Sequence, residues 1–281
     1  MNLLPVACWI KLLRGCKLIY TPHELETEKT GQTRTSKFVA KLIEKLFIRF
    51  ANKVLVVCEP IADWYERTYT LENTYVLRNV PINPYTSEIP LSKSTVFRVK
   101  FGIKEEDIIF IYQGLLSDGR DLEEIIEIFK TMPSNKHLIL MGYGDRIKLI
   151  QSIALEYKNI HFHPAVPLEQ IIEHTSGADV GLFLLFNKPS LSYQYSLPNK
   201  FSEYIIAEIP ILVTNHTTYL TDIISKQNCG WSLPPDKEII RNFILSIKRE
   251  DIENIKKSVC DYAHNLGWQF EDKVLKEIYD C

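Results

Sequence analysis

Short apolar runs alternate with stretches of helical periodicity along most of the chain. Between the runs, apolar residues recur at helical spacing, as at Leu122, Ile125 and Phe129, which places one helix face on a sheet. Eight runs predict strands: Lys17 to Tyr20, Val54 to Val57, Tyr75 to Leu77, Ile108 to Tyr112, His137 to Met141, Ile160 to Phe162, Val180 to Phe186 and Ile211 to Val213. This alternation is typical of parallel sheets, so we expect an α/β protein with two Rossmann-like units.

The segment from Pro81 to Ser94 interrupts both periodicities. It contains three prolines, one asparagine and three serines, which is the composition of a linker. Three strand runs precede it and five follow it, so the first unit is expected to be the smaller and incomplete one. We therefore predict an abbreviated N-terminal unit over residues 1–86, a C-terminal unit over 87–258 and C-terminal helices over 259–281.

Composition excludes several classes of protein. The 281 residues are 46% hydrophobic and 24% charged, with a net charge of -2, which is typical of a globular protein and gives no nucleic-acid signature. Six cysteines are scattered without C-x-x-C pairs, so neither a zinc site nor a disulfide framework is predicted and a reducing cytoplasm fits best. No apolar run approaches the roughly 18 to 20 residues that a membrane-spanning helix needs.

The segment Ser196 to Glu203 lies between two apolar runs and carries the clearest chemical signal. A serine at an expected N-cap and Pro198 in the first turn predict a helix start, where free N–H groups and the helix dipole suit a phosphate. One turn further, Glu203 places a carboxylate that can accept hydrogen bonds from ribose hydroxyls. The pattern therefore predicts a nucleotide site, although a capped helix between buried strands is also ordinary in any α/β domain.

The same segment resembles the donor-sugar loop of retaining glycosyltransferases with the GT-B fold, family 4 type, in which an S-x-P-x-K-x-x-E run precedes a helix. The resemblance implies that Glu203 holds the ribose and that Lys200 faces the diphosphate. The first acid of the family's E-x7-E pattern falls on Tyr195 here. Loop groups are expected to contact the donor instead, which makes candidates of Tyr195, Ser196, Leu197 and Asn199.

Three further segments of the second unit resemble donor-binding parts of this family. The loop from Tyr112 to Arg120 is similar to the one that places cations on the diphosphate; it contains Gly114 and has Arg120 at a cationic position, but leucine at the second one, residue 115. Gly142 ends a strand in a G-x-G turn, which also fits a plain tight turn. Ala165 and Val166 fall where backbone groups of the family recognise the nucleobase.

The N-terminal part is similar to the later half of the family's acceptor domain. Tyr20 to Glu24 resembles its Y-D-x-H-E segment, whereas no residue before Lys17 matches its glycine-rich opening loop. The resemblance implies that His23 faces the transferred sugar and that Glu24 lies in the same cleft. Alternatively, both simply cap the following segment. The resemblance also implies that the last helix, Trp268 to Tyr279, crosses back to the N-terminal unit.

An amphipathic basic helix is predicted from Lys37 to Lys53. Basic residues recur every four positions on one face, and apolar residues cover another. Such a helix suits the anionic surface of a membrane, but a core-facing helix with a solvated basic side has the same pattern. Residues 1–50 hold nine Lys or Arg against four Glu, so the basic excess is local.

These observations lead to one preferred function. We expect a retaining hexosyltransferase that uses a nucleoside diphosphate sugar, needs no metal or other cofactor, and transfers to a saccharide or lipid-linked acceptor in polysaccharide or glycolipid synthesis at the cell surface. His23, Glu24, Arg120 and Lys200 are its expected catalytic residues, and a cytoplasmic location at the inner face of the membrane is expected. The alternative is a non-catalytic nucleotide-sugar-binding subunit, or an inactive remnant, that needs a second chain to complete the N-terminal unit.

Overall fold

Two parallel sheets organise the chain in a computed structural model that describes residues 3–28, 33–85 and 91–279. The strands are β1 Ile19–Tyr20, β2 Lys53–Val56, β3 Thr74–Val76, β4 Ile108–Leu115, β5 Lys136–Tyr143, β6 Ile160–Pro164, β7 Val180–Phe183, β8 Ile211–Thr214 and β9 Gly230–Leu233. The helices are α1 Leu4–Arg14, α2 Arg34–Phe47, α3 Glu59–Tyr69, α4 Val96–Phe101, α5 Leu122–Lys130, α6 Ile147–Glu156, α7 Ile171–Thr175, α8 Leu191–Gln194, α9 Asn199–Ile206, α10 Thr218–Gln227, α11 Lys237–Ser246, α12 Arg249–Ala263 and α13 Trp268–Tyr279. The expected α/β architecture is confirmed.

The first sheet is small. Its three parallel strands lie in the order β1-β2-β3, with Tyr20 opposite Val54 and Val54 opposite Thr74. All three were predicted from the sequence. The carboxyl ends of the strands lead into loops that contain His23, Val57 and Asn79, and these loops face the second sheet's unit, as described below.

The second sheet has six parallel strands in the order β6-β5-β4-β7-β8-β9. The chain proceeds outward from the central β4 to one edge and then returns to β7 on the other side. In sheets of this order, ligands bind where the strand order reverses, outside the carboxyl ends of the strands. The reversal between β4 and β7 therefore marks the expected binding edge.

Two sequence-based expectations need correction, and a third stays untested. The short strand β9 was not predicted, because it begins with glycine and its four residues are only half-buried. The basic helix ends at Phe47, and a 3-10 turn over Ile48–Phe50 separates it from Lys53, which begins β2. The predicted boundary at residues 86 and 87 lies outside the described residues, while 81–85 and 91–95 belong to no helix or strand.

The last helix contacts the N-terminal unit. The Lys53 ammonium donates to the carbonyl oxygens of Glu277 and Ile278 at 2.9 and 3.0 Å, and Arg78 pairs with Glu271 at 3.1 Å. The backbone N–H of Trp268 donates to Pro81 at 3.0 Å. Within the described ranges, none of the helices has the length and apolar character needed to cross a bilayer.

A buried carboxylate fixes α2 on the first sheet. Glu44 is fully buried and accepts hydrogen bonds from the hydroxyl groups of Tyr20, Tyr65 and Tyr69 at 2.8, 3.0 and 2.6 Å. A buried carboxylate is costly unless such donors satisfy it. These polar contacts therefore hold one face of the basic helix against the core of the first unit.

Candidate functional site

A cavity of about 600 Å³ lies between the carboxyl ends of the two sheets. The first unit contributes the loops that follow β1, β2 and β3, and the second contributes the ends of β4, β5 and β6 with the segment from α8 to α9. The lining residues are His23, Glu24, Val57, Asn79, Gln113, Gly114, Arg120, Met141, Gly142, Tyr143, Ala165, Val166, Ile171, Ser192, Tyr193, Ser196, Leu197, Pro198, Asn199, Lys200 and Glu203. The cavity thus lies at the edge of the second sheet where the strand order reverses.

Twelve of the thirteen sequence-predicted site residues line this cavity. The exception is Tyr195, which lines a separate cavity with Trp64 and Tyr219. Its backbone carbonyl accepts a hydrogen bond from the Cys58 thiol at 2.9 Å. This contact holds residue 195 in the wall between the two cavities, so the structure does not place Tyr195 with the other candidates.

The helix start after β7 differs in detail from the expectation. Helix α9 begins at Asn199, and Pro198 rather than Ser196 occupies its N-cap, with no side-chain capping bond. The Ser196 hydroxyl instead donates to the carbonyl of Tyr193 at 2.9 Å, and the Ser196 backbone N–H donates to the same carbonyl at 3.3 Å. No side chain caps the first turn of α9, in which the Phe201 N–H donates to the Pro198 carbonyl at 2.9 Å, and such a helix start suits an anion.

Lys200 is held on aromatic rings. Its ammonium nitrogen lies 3.8 Å from the ring centroid of Tyr112 and 5.6 Å from that of Phe183. Burial, with the nearby positive charge of Arg120, lowers the pKa of Lys200 to about 7, and Glu203 partly opposes that shift. Lys200 is therefore a cation that an incoming anion would stabilise.

Arg120 is oriented by a tyrosine. Its Nη1 donates to the Tyr193 hydroxyl at 2.6 Å, and the Tyr193 ring stacks on Phe183 with 6.1 Å between centroids. The two cavity cations, Arg120 and Lys200, thus share one aromatic support. A guanidinium that keeps further N–H donors can bind phosphate oxygens bidentately.

Glu203 lies one turn inside α9 and faces the end of β4. Its Oε2 accepts a hydrogen bond from Nε2 of Gln113 at 2.5 Å. Burial raises the pKa of Glu203, while this hydrogen bond and Lys200 lower it in part. The carboxylate is thus oriented by the neighbouring strand.

Two paired glycines lie near the carboxyl ends of β4 and β5, beside the cavity. Gly114 on β4 lies opposite Gly142 on β5, and Gly114 has φ +113°. A Cβ on Gly142 would lie 1.8 Å from the Gly114 carbonyl oxygen. Close approach of the backbone at this point therefore requires glycine, and it leaves room above the strand ends.

His23 and Glu24 follow β1 in an exposed loop. The next residue, Leu25, donates its backbone N–H to the Ser192 hydroxyl at 3.1 Å, which ties this loop to the second unit. A second contact across the cavity joins the side-chain amides of Asn79 and Asn199 at 3.2 Å. Both units therefore build the site.

Nine lining residues were missed by the sequence reasoning, and four of them make side-chain hydrogen bonds at the site: Asn79, Gln113, Ser192 and Tyr193. The signal for Gln113 was present, since a glutamine interrupts the apolar run of β4 beside Gly114. Asn79 and Ser192 act through contacts between the units, which a sequence pattern does not reveal. Across the described part of the chain, no group of three or more His, Cys, Asp or Glu residues is arranged to hold a metal ion.

The family model for "Glycosyl transferases group 1" matches residues 93–259. The chain belongs to this family. The match covers more than half of the chain and includes Arg120, Lys200 and Glu203. Among curated protein sequences, none matches the chain.

Solved structures share the fold across nearly the whole chain. WaaG, a glycosyltransferase involved in lipopolysaccharide biosynthesis, is 19% identical with a TM-score of 0.63, over 98% of this chain and 80% of WaaG. Anabaena Alr3699/HepE in complex with UDP and glucose is 14% identical with a TM-score of 0.74, over 100% of this chain and 76% of HepE. Sucrose-phosphate synthase from Thermosynechococcus elongatus is 18% identical with a TM-score of 0.71, over 97% and 70%. The GT-B architecture is thereby confirmed.

Proposed function

We propose that this chain is a retaining glycosyltransferase of the family 4 type, which transfers a hexose-type sugar from a nucleoside diphosphate donor. The observation that carries the proposal is the grouping of Arg120, Lys200 and Glu203 in one cavity at the reversal point of the second sheet. Membership of the Glycosyl transferases group 1 family supports it. So does the similarity to HepE, whose structures contain UDP and UDP-glucose.

In this proposal, the diphosphate lies between the two cations and the first turn of α9. Arg120 and Lys200 then stabilise the negative charge that develops on the leaving diphosphate, where the half-buried site strengthens each interaction. Backbone N–H groups of α9 and the segment Ser196–Asn199 add donors. The proposed catalysis is therefore electrostatic and uses no metal or other cofactor.

The nucleoside extends from the diphosphate towards β6. Glu203 accepts hydrogen bonds from the ribose hydroxyls, and Gly114 and Gly142 leave room for the donor above the strand ends. Backbone groups of Ala165 and Val166 contact the nucleobase. Each of these residues lines the cavity.

The transferred sugar is placed between the two units. His23 and Glu24 face it from the N-terminal side, where an imidazole can donate a hydrogen bond or relay a proton near neutral pH. The acceptor enters from the same side. We propose a saccharide or a lipid-linked saccharide as acceptor, in the synthesis of cell-surface polysaccharide or glycolipid.

An exposed apolar surface supports a position on the inner face of the membrane. Eleven of the 22 exposed large apolar side chains in the described residues lie in α1, α2 and their flanks: Leu3, Val6, Trp9, Ile10, Leu12, Leu13, Phe38, Val39, Leu42, Leu46 and Phe50. We refer to these residues as the apolar surface. The helices α1 and α2 pack together, and Lys45 and Arg49 are exposed beside it. Apolar and basic groups together favour binding to an anionic bilayer.

The proposed activity is tested by turnover. The whole chain is incubated with UDP-, GDP-, ADP- and dTDP-sugars and a membrane-lipid extract as the source of acceptor, and nucleoside diphosphate release is measured. We expect release from one donor, with the anomeric configuration of the product, read by NMR, equal to that of the donor. An inverted product would contradict retention.

The alternative function, a non-catalytic nucleotide-sugar-binding subunit, has one observation in its favour. The family's second cationic position is Leu115 here, an uncharged side chain at the end of β4. Donor binding without release, under conditions that include the extract, would support this alternative over a transferase.

A further inference from the structure

A buried glutamine connects the nucleoside end of the cavity to α7. Gln113 lies two residues before the end of β4 and lines the cavity, and only 3% of its surface is exposed. Its backbone N–H donates to the Tyr204 hydroxyl at 3.2 Å, and that hydroxyl also lies 3.2 Å from the Ile111 carbonyl. The backbone of residue 113 is therefore fixed independently of its side chain. A buried side-chain amide, in turn, must satisfy both of its ends.

The two ends of the Gln113 amide have different partners. The Thr175 hydroxyl lies 2.7 Å from Oε1 and 2.6 Å from the Ile171 carbonyl oxygen, so its single proton is shared between these two acceptors, while Nε2 donates to Oε2 of Glu203 at 2.5 Å. The reversed amide would place its carbonyl oxygen against the Glu203 carboxylate, which offers only acceptors when ionised. The chemistry of Glu203 thus determines which way the amide points, and Thr175 holds it there.

This arrangement uses only one of the two carboxylate oxygens. Oε2 of Glu203 is held by Gln113, and in the described part of the chain Oε1 makes no hydrogen bond, while the residue lines the cavity. Burial raises the pKa of Glu203, and the Gln113 hydrogen bond lowers it in part, so the amide favours the ionised form. An ionised carboxylate with one fixed oxygen presents the other in a defined direction.

We propose that Gln113, anchored by Thr175, is a positioning residue that orients Glu203 so that its Oε1 accepts from the 2′-hydroxyl of the donor ribose. The inference rests on the proposed function and deepens it: the relay Thr175–Gln113–Glu203 sets the preference for ribonucleotides over 2′-deoxyribonucleotides. Gln113 itself does not touch the nucleotide. Its contribution is confined to the ribose, because the diphosphate is bound by other residues.

The test compares nucleotide pairs that differ by a single hydroxyl group. Calorimetric titrations measure the affinity of the whole chain for UDP, GDP and ADP and for their 2′-deoxy counterparts. In the wild type we expect the preferred ribonucleotide to bind about 10- to 100-fold more tightly than its deoxy form, because a hydrogen bond to a charged group is involved. Gln113→Leu, which keeps the volume, should reduce that ratio about tenfold while leaving the deoxy affinity unchanged.

Three further variants separate positioning from folding. Thr175→Val removes the anchor hydroxyl alone, and it should lower the ratio by a smaller factor. Glu203→Ala should abolish the preference for the ribonucleotide. Adding Gln113→Leu to Glu203→Ala should cause no further change, because the effects of substitutions within one hydrogen-bonded relay are not additive. The deoxy nucleotide serves as the internal control for folding in Gln113→Leu and Thr175→Val, which keep the Glu203 carboxylate.

The outcomes distinguish this inference from the proposed function. A ribo-to-deoxy ratio that depends on Glu203 but is unchanged in Gln113→Leu would overturn the relay and leave the proposed function standing. An equal loss of ribo and deoxy affinity in Gln113→Leu would mean a merely structural glutamine and would also overturn the relay. Absence of binding by every nucleoside diphosphate would overturn the proposed function and this inference with it.

Discussion

The two cations of the cavity are supported by the same aromatic side chains. Lys200 lies over Tyr112 and Phe183, and Arg120 is hydrogen-bonded to Tyr193, which stacks on Phe183. With its pKa lowered to about 7, Lys200 changes charge near neutral pH, whereas a guanidinium stays charged. Only one of the two proposed diphosphate ligands is therefore sensitive to pH in this range.

We predict that donor affinity weakens as the pH rises through about 7. Lys200 is mostly charged below that value and mostly neutral above it, and the diphosphate binds the charged form. Affinity for a nucleoside diphosphate sugar, whose phosphates do not titrate here, should fall by up to about tenfold per pH unit above 7. Calorimetry between about pH 6 and 8.5 measures this.

Two variants identify the titrating group. Lys200→Arg should remove the slope, because the guanidinium remains charged throughout. His23→Gln, which changes another cavity side chain and leaves Lys200 in place, should retain it. If the pH dependence vanishes in His23→Gln and persists in Lys200→Arg, Lys200 is not the titrating group and the prediction is contradicted.

At the level of single residues, the sequence predicted the charged side chains better than their supports. Lys200 and Glu203 follow from a local motif, in which a helix start brings both near one opening. Gln113 was missed because its role depends on Thr175, which lies 62 positions further along the chain. The N-cap prediction for Ser196 was wrong because α9 begins at Asn199, with Pro198 at its N-cap.

At the level of secondary structure, the close approach of β4 and β5 keeps the cavity open at the donor edge. The pairing of Gly114 with Gly142 leaves no room for a side chain, since a Cβ on Gly142 would lie 1.8 Å from a carbonyl oxygen. The sequence showed the glycines but also allowed a plain tight turn. The register of the two strands explains why residue 142 is a glycine.

We predict that Gly142→Ala destabilises the protein by about 1–3 kcal/mol, because the backbone of a well-packed sheet must move. The matched control is Gly119→Ala. Gly119 also has a positive φ, +74°, but an added Cβ meets no atom within 4 Å. The control should cost only about 1 kcal/mol. Free energies of unfolding from urea titrations compare the two, and equal losses would contradict the packing argument.

The sequence pattern of α2 was informative but ambiguous. Glu44 fixes one face on the first sheet, as the core-facing interpretation expects. Phe38, Leu42 and Leu46 stay exposed, and binding of this face to a membrane stays a prediction. The contribution of α1 was not foreseen, since its pairing with α2 is a tertiary contact. The apolar surface is therefore larger than the pattern of α2 alone indicated.

We predict that the chain binds anionic vesicles through this surface. Replacing Lys45 and Arg49 together by alanine should weaken binding to phosphatidylglycerol-containing vesicles about tenfold or more, because each basic residue near such a surface contributes about 1 kcal/mol. Phe38→Asp should weaken it further. Vesicle co-sedimentation measures both effects.

Matched control variants for these substitutions are available in the second unit. Leu155 in α6 is 92% exposed, so Leu155→Asp makes the same change of chemistry away from the apolar surface. Lys148→Ala with Lys158→Ala removes two exposed basic residues in the same way. If the controls reduce vesicle binding as much as the test variants, the surface is not the binding site.

At the scale of the whole molecule, the cavity exists only where the two units meet. Contacts across it join Leu25 to Ser192, Cys58 to Tyr195 and Asn79 to Asn199. Outside it, the Tyr219 hydroxyl bonds to Glu59. The sequence predicted both units and most of their strands from periodicity. It did not predict these contacts, because each joins residues more than a hundred positions apart.

The most direct test of the account is a calorimetric titration of the whole chain with UDP-, GDP-, ADP- and dTDP-sugars. We expect one donor to bind, and Arg120→Ala and Glu203→Ala each to weaken it about tenfold or more, because each removes a hydrogen bond to a charged group. The matched changes Arg67→Ala and Glu72→Ala, at exposed positions outside the cavity, should have no effect. Binding that is unchanged in both cavity variants, or no binding of any donor, would contradict a nucleotide-sugar site in this cavity.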